Sequence, residues 1–193
     1  MATKTNKCTV EVLLVGAELS GFPDRMLPVS RNLGTVDLIW PKVGTARKSA
    51  AREMTFRKGK VDFTGEPWVK RCLLREEIDG HCDIAVSISE PVSVQKLRRW
   101  AKLTAKAVLK EGADVAASAM VGYGDIAAAP IDALATMVGE KDAPESIAQG
   151  AIDFSDLPAP GETKTVTVPL ARPLTGKPIG SLTVEVTNGE CKM

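Results

Sequence analysis

Alternation between apolar and polar residues at both ends of the chain is the feature that most constrains its fold. Near the N-terminus Val10, Val12 and Leu14 share one parity, the polar Thr9 and Glu11 share the other, and the strand becomes apolar on both faces at its end. The same period of two runs through residues 166–170 and 182–186. Successive side chains of a strand point to opposite faces of a sheet, so this period predicts strands that are buried on one face. Such strands are typical of antiparallel sheets.

Residues 68–89 are predicted to form a β-hairpin. The apolar residues of both arms occupy even positions, and a three-residue loop ending at Gly80 keeps both sets on one face of the sheet. The predicted cross-strand pairs are Leu74 with Ile84 and Cys72 with Val86. The predicted core of the whole fold comprises Val10, Val12, Leu14, Val36, Leu38, Leu74, Ile84, Val86, Val168, Leu182 and Val184.

The middle of the chain lacks the period of two. Ser93 as N-cap and Gly112 as stop signal predict a helix over residues 94–111. Residues 113–139 are rich in Ala and Gly and predict one or two short helices. Residues 140–163 are acidic, contain Pro and Gly, and predict a loop.

The order of these patterns predicts a mainly β fold with an α insertion. Helices that alternate with strands would indicate a Rossmann-type sheet, whereas here the helices fall together between the fifth and sixth predicted strands. We therefore expect an antiparallel β-sandwich formed by residues 1–90 and 163–193, with a helical insertion and acidic loop at 91–162.

Two segments of the sequence resemble C2 domains, the calcium- and lipid-binding β-sandwiches. The ending Val168-Pro-Leu170, followed by Thr-Gly-Lys-Pro-Ile-Gly180-Ser-Leu-Thr-Val-Glu-Val186, is similar to the last two strands of that family. The strand Val10–Leu19 with its Gly-Phe-Pro-Asp24 loop is similar to the first strand and loop. The resemblance implies a C2-like, eight-stranded sandwich that docks on membranes or on partner proteins.

Calcium binding is not expected in spite of this resemblance. In C2 domains several aspartates from two neighbouring loops hold calcium, and here Asp24 stands in the first loop while the helical insertion replaces the other. Six to eight oxygen ligands cannot be assembled from what remains. No metal and no other cofactor is predicted.

Charge is distributed very unevenly along the chain. Residues 42–60 contain seven Lys or Arg against one Glu, the predicted helix at 94–111 carries a further basic face, and residues 111–162 contain ten acids against one Lys. The basic face predicts contact with an anionic membrane surface or an acidic protein partner. The alternative is a solvated face that the acidic segment 140–162 neutralises. The candidate contact residues are Arg47, Lys48, Arg52, Arg57, Lys58, Arg99, Lys102, Lys106 and Lys110.

The sequence contains no recognisable set of catalytic residues. The single histidine, His81, lies beside Cys82, but neighbours on a strand face opposite ways, so the imidazole cannot activate that thiol. No nucleophile elbow or phosphate-binding glycine loop is present. Cys72 and Cys82 are predicted to be buried reduced thiols, and Cys191 is predicted to be exposed.

The sequence thus predicts a non-enzymatic binding module, with two alternatives left open. Residues 113–139 would insert into a membrane in the first alternative, and the protein would be a structural subunit of a larger assembly in the second. The nearly balanced total charge does not favour nucleic acid as a partner. We expect a cytoplasmic location because no apolar run precedes the first strand, while secretion and the oligomeric state stay open.

Overall fold

The computed structural model describes residues 7–20, 29–39, 47–79, 82–91, 93, 95 and 145–189. Within these ranges the chain forms nine strands, one short helix and one 3₁₀ turn. The strands are β1 (Lys7–Leu19), β2 (Val29–Ile39), β3 (Arg47–Arg57), β4 (Lys60–Asp62), β5 (Cys72–Asp79), β6 (Asp83–Ser89), β7 (Ser146–Ile152), β8 (Glu162–Ala171) and β9 (Pro178–Asn188). The helix α1 spans Trp68–Arg71, and the 3₁₀ turn spans Phe154–Asp156.

All described strand pairs are antiparallel, and they form one continuous nine-stranded sheet that closes through the pairing of β4 with β1 and folds over into the two layers of a sandwich. The strand order is β4-β3-β2-β6-β7-β8-β9-β1-β5. One layer contains β3, β2, β6 and β7, and the other contains β8, β9, β1 and β5. The layers are linked on one side by β4, which pairs with both β3 and β1, and on the other by the single pair Gln149 with Ala171. The predicted mainly β, antiparallel fold is confirmed.

The core lies between the two layers and contains the residues that the alternation predicts. Every residue of the predicted core is at most 6% exposed. The same core also contains Met54 and Phe56 of β3 and Ile179 of β9. The period of two therefore identified the buried face of each strand correctly.

The predicted hairpin at 68–89 is wrong. The strand β5 pairs with β1, whereas β6 pairs with β2 and β7, so the two arms belong to different layers. Leu74 lies opposite Val12, and Val86 lies opposite Val36. Residues 68–71, predicted as strand, form α1. Alternation fixes which face of a strand is buried, and it leaves the neighbouring strand undetermined.

Two strands form where the sequence predicted none. The basic segment contains β3, which pairs along its whole length with β2, and the predicted acidic loop contains β7, which pairs with β6. The connection that was expected after the fifth strand therefore follows the sixth. Gln95 is helical, while the rest of the predicted helices at 94–111 and 113–139 lies outside the described residues, so the division into sandwich and insertion stays a prediction.

Candidate functional site

One end of the sandwich is organised around the last residues of β1. The backbone N–H of Leu19 donates to the carbonyl of Gly59 at 2.8 Å, and the N–H of Ser20 donates to the carbonyl of Ile179 at 2.5 Å. Gly59 belongs to the turn between β3 and β4, and Ile179 lies at the start of β9. The β3–β4 turn and the β8–β9 loop are therefore held at the same end, which we call the basic end.

The β3–β4 turn presents two cations at the basic end. Arg57 pairs with Lys60, so Lys58 and Gly59 are the two residues of a tight turn. Both have positive φ values, 50° and 77°, as a two-residue hairpin requires. A side chain at Gly59 would lie 2.7 Å from the Leu19 carbonyl oxygen, so this position accepts only glycine. The turn leaves the side chains of Arg57 and Lys58 exposed.

The β8–β9 loop presents an apolar side chain beside a third cation. The N–H of Arg172 donates to the Lys177 carbonyl, and the N–H of Gly176 donates to the Arg172 carbonyl, both at 2.9 Å. Gly176 has a φ of 64°, which lets the chain close this loop. Leu174 lies between these fixed residues and is 99% exposed. Lys177 is exposed as well.

Among the described acids of this end, Glu18 is already paired with a cation. It forms an ion pair with Lys60, with 2.9 Å between Oε1 and Nζ. Arg57, Lys58 and Lys177 are exposed cations in the same two connections that form the basic end, and Leu174 is exposed in one of them.

The candidate contact residues from the sequence have different outcomes. Arg57 and Lys58 are exposed at the basic end. Arg52 is 6% exposed, and its guanidinium donates to the Cys72 carbonyl of the opposite layer, so its prediction as a surface contact is wrong. Arg52 faces the core because it pairs with Gly34, on the same side of the sheet as Met54.

The remaining candidates keep the status of predictions. The backbone of Arg47 and Lys48 begins β3, while their side chains fall outside the described part. The other candidates lie outside the described residues altogether: Arg99, Lys102, Lys106 and Lys110. The same is true of Asp24 and His81.

Cys72 and Cys82 are free and buried, as predicted. Burial raises the pKa of each thiol to about 11, and the nearby carboxylates of Glu11 and Asp83 respectively add to the effect. A thiol with so high a pKa is protonated at neutral pH and is a poor nucleophile or metal ligand. Neither cysteine supplies a reactive group.

Metal-binding and membrane-spanning features were also sought in the described ranges. There, no group of three or more His, Cys, Asp or Glu side chains is arranged to hold a metal ion. Every helix in those ranges is too short or too polar to span a bilayer. The exposed cations and Leu174 of the basic end therefore remain the feature with the clearest chemistry.

No protein-family model matches the chain, and no curated protein matches it. Among solved structures it is similar to the C2A domain of a plant extended synaptotagmin 1, with 13% identical residues and a TM-score of 0.48. The similarity covers 96% of this chain and 97% of that one. A likeness at this level says nothing of what this chain binds.

Sequence reasoning missed Leu174 and Lys177. The loop was recognised only as rich in turn residues, although an apolar residue between Arg172 and Lys177 in such a loop is itself a signal. A leucine in a turn that no strand continues has no core to enter. Its exposure beside cations could have been predicted from these neighbours.

Proposed function

We propose that the protein is a non-enzymatic binding module whose basic end contacts an anionic membrane surface. The observation that carries the proposal is Leu174, a fully exposed leucine at the tip of a hydrogen-bonded loop. Exposure of a large apolar side chain is unfavourable in water and becomes favourable when the side chain enters an apolar phase.

The cations around Leu174 support a lipid surface as that phase. The cytoplasmic leaflet and other anionic membranes attract basic residues with about 1 kcal/mol for each Lys or Arg near the surface. Arg57, Lys58 and Lys177 share the end of the sandwich with Leu174 and are exposed with it. An exposed apolar side chain with cations at the same end of the sandwich fits a membrane interface, where headgroups are anionic and acyl chains are apolar.

The fixed geometry of the two turns favours surface contact without a large rearrangement. The turn at Lys58 and the loop at Leu174 are both tied to the end of β1 by backbone hydrogen bonds. Side chains held on such a scaffold lose little freedom when they bind, and this loss otherwise weakens association.

Vesicle co-sedimentation tests the proposal. Wild-type protein is expected to sediment with vesicles of phosphatidylcholine and phosphatidylserine, and to stay in solution with vesicles of phosphatidylcholine alone. Binding that is equal on both vesicles, or absent from both, would contradict the membrane proposal; absence from both would direct the search to an acidic protein partner.

Leu174→Ser separates the apolar contribution from the charge contribution. Loss of one leucine from an apolar phase corresponds to roughly 1.5–3 kcal/mol, or about a tenfold to hundredfold weaker binding. Val69→Ser is the matched control, because Val69 is a 45% exposed apolar residue of α1 and belongs to neither of the two connections that form the basic end. We expect the control to bind as the wild type does. Equal binding by Leu174→Ser and the wild type would exclude Leu174 as an anchor.

A further inference from the structure

Cys8 is disulfide-bonded in the structure. The sequence contains four cysteines, and two of them, Cys72 and Cys82, are free and buried. Cys191 is therefore the only cysteine left within the chain that can pair with Cys8. We propose that Cys8 and Cys191 form a disulfide that joins the start of β1 to the chain beyond β9.

Strand register brings the end of the described chain, at Gly189, next to the start of β1. Val10 lies opposite Asn188, and the N–H of Gly189 donates to the Thr9 carbonyl at 2.7 Å. The chain at Gly189 is thus hydrogen-bonded to the residue that follows Cys8. Two further residues, at about 3.3 Å each, span about 7 Å, which is comparable with the Cα separation that a disulfide bridges.

The position of this bond lets it stabilise the fold. The strand β1 pairs with β9, β5 and β4 and so connects more strands than any other described element. Cys8 itself packs against the core. A covalent bond here holds the first and last strands together and closes a loop of almost the whole chain, which restricts the unfolded state strongly.

Formation of the bond is a two-electron oxidation, and a small-molecule disulfide carries it out by thiol–disulfide exchange. Each thiol of the pair gives up one proton and one electron, and a small-molecule disulfide such as oxidised glutathione takes up both protons and both electrons to become two thiols. Buried Cys72 and Cys82 do not compete for the exchange, because thiolates are the reactive form and these thiols stay protonated.

The proposed disulfide also bears on the compartment in which the protein resides. Disulfides persist in oxidising environments and are rare in the reduced cytosol. The proposed bond therefore favours an oxidising compartment over the cytoplasmic location that the sequence led us to expect.

Peptide mapping without reductant tests the pairing directly. After incubation with oxidised glutathione, mass spectrometry of a proteolytic digest is expected to find the peptides of Cys8 and Cys191 joined, with Cys72 and Cys82 as thiols. Free Cys8 and Cys191 under these conditions, or a Cys8 to Cys8 link between two molecules, would overturn the proposal.

Thermal unfolding tests the role of the bond in stability. Reductant is expected to lower the wild-type Tm by roughly 5–15 °C, the range that loss of a structural disulfide gives in a chain of this size. The double variant Cys8→Ser/Cys191→Ser is expected to have the lower Tm from the start and no response to reductant. A reductant effect of the same size in that variant would exclude the Cys8–Cys191 bond as its cause.

Vesicle binding distinguishes this inference from the proposed function. Cys8 and Leu19 lie eleven residues apart on one strand, so the bond is about 36 Å from the basic end. Below its Tm the double variant is expected to bind anionic vesicles as the wild type does. Either proposal can therefore fail without the other.

Discussion

At the residue scale, Leu74 and Leu174 show what burial of a leucine contributes to the stability of the fold, because the two side chains lie in opposite environments. Leu74 is 6% exposed and belongs to the core between the layers, whereas Leu174 is 99% exposed in the β8–β9 loop. A buried leucine stabilises the fold through its packing, while a solvated leucine adds almost nothing to it.

Leu74→Ala is expected to lower the free energy of unfolding by about 2–5 kcal/mol, because it removes packed methyl groups and leaves a cavity. Leu174→Ala is the matched control and is expected to change stability by less than about 0.5 kcal/mol. Urea denaturation of both variants measures the difference. A change of under about 1 kcal/mol for Leu74→Ala would mean that this side chain does not pack in the core.

The raised pKa values of the Cys72 and Cys82 thiols make the stability of the fold depend on pH in the alkaline range. Their pKa values in the folded chain are raised to about 11, whereas an unfolded thiol has its ordinary pKa of about 8.5. Above pH 8.5 the unfolded chain loses these protons while the folded chain retains them. The contribution is therefore complete below about pH 8.5 and is lost as the pH rises towards 11.

Thiol modification checks this pH dependence. At pH 8, alkylation of Cys72 and Cys82 in the folded protein is expected to be much slower than in urea-unfolded protein. The rate in the folded protein should rise only as the pH approaches about 11. Fast alkylation at pH 8 without unfolding would show that the thiols are accessible and ionised.

At the scale of elements, the two layers approach each other closely at Gly150 of β7. A Cβ atom at this position would lie 2.6 Å from the Pro169 carbonyl oxygen and 2.7 Å from Cγ1 of Val168, both in β8. Only glycine lets the backbones of β7 and β8 approach in this way. The junction also lies next to the single β7–β8 pair.

Gly150→Ala is expected to separate β7 from β8 and to lower stability by about 1–3 kcal/mol, as overpacking does elsewhere. Gln149→Ala in the same strand is the control, because Gln149 is exposed, and its effect should be small. Thermal unfolding of both variants provides the measurement. Equal stability of Gly150→Ala and the wild type would contradict the close approach of the two strands.

The elements also show how far the sequence can specify this fold. Alternation predicted the buried faces of β1, β2, β8 and β9, because burial on one face leaves a period of two. The partner of β5 could not be predicted, since a hairpin and a connection between layers have the same alternating arms. The strand β3 was missed because its apolar members, Met54 and Phe56, stand among charged residues.

The candidate site could be predicted only in part for a similar reason. Clustering of positive charge pointed to Arg57 and Lys58, and the same reasoning wrongly included Arg52. Charge counted along the sequence does not distinguish the two faces of a strand. Arg52 lies on the same face of β3 as the buried Met54, and its guanidinium donates to the Cys72 carbonyl, an arrangement that becomes visible only in the folded chain.

In the molecule as a whole, a stable scaffold and a contact surface are formed by different residues. The two layers bury the apolar residues of nearly every described strand, and the basic end carries Leu174 with Arg57, Lys58 and Lys177. These four side chains contribute little to the fold, so they are available for binding. Substitutions at the basic end should therefore alter membrane binding without altering unfolding.

The charge-reversal variant Arg57→Glu/Lys58→Glu/Lys177→Glu tests this separation. Loss of three cations at an anionic surface corresponds to roughly 3 kcal/mol, or on the order of a hundredfold weaker binding, and the added carboxylates weaken it further. The control variant Lys70→Glu/Arg75→Glu/Lys164→Glu changes the net charge equally at exposed positions outside the two connections of the basic end, and it also removes the ion pairs of Lys70 with Glu66 and of Arg75 with Glu11.

The most direct measurement is the affinity of the wild type and both variants for phosphatidylcholine–phosphatidylserine vesicles, at low and at physiological salt. We expect the wild type and the control to bind, and wild-type binding to weaken as salt screens the charges over about 8–10 Å. The basic-end variant should lose binding while keeping the wild-type Tm. Equal binding by the two triple variants would contradict the claim that the basic end is the membrane-contact surface.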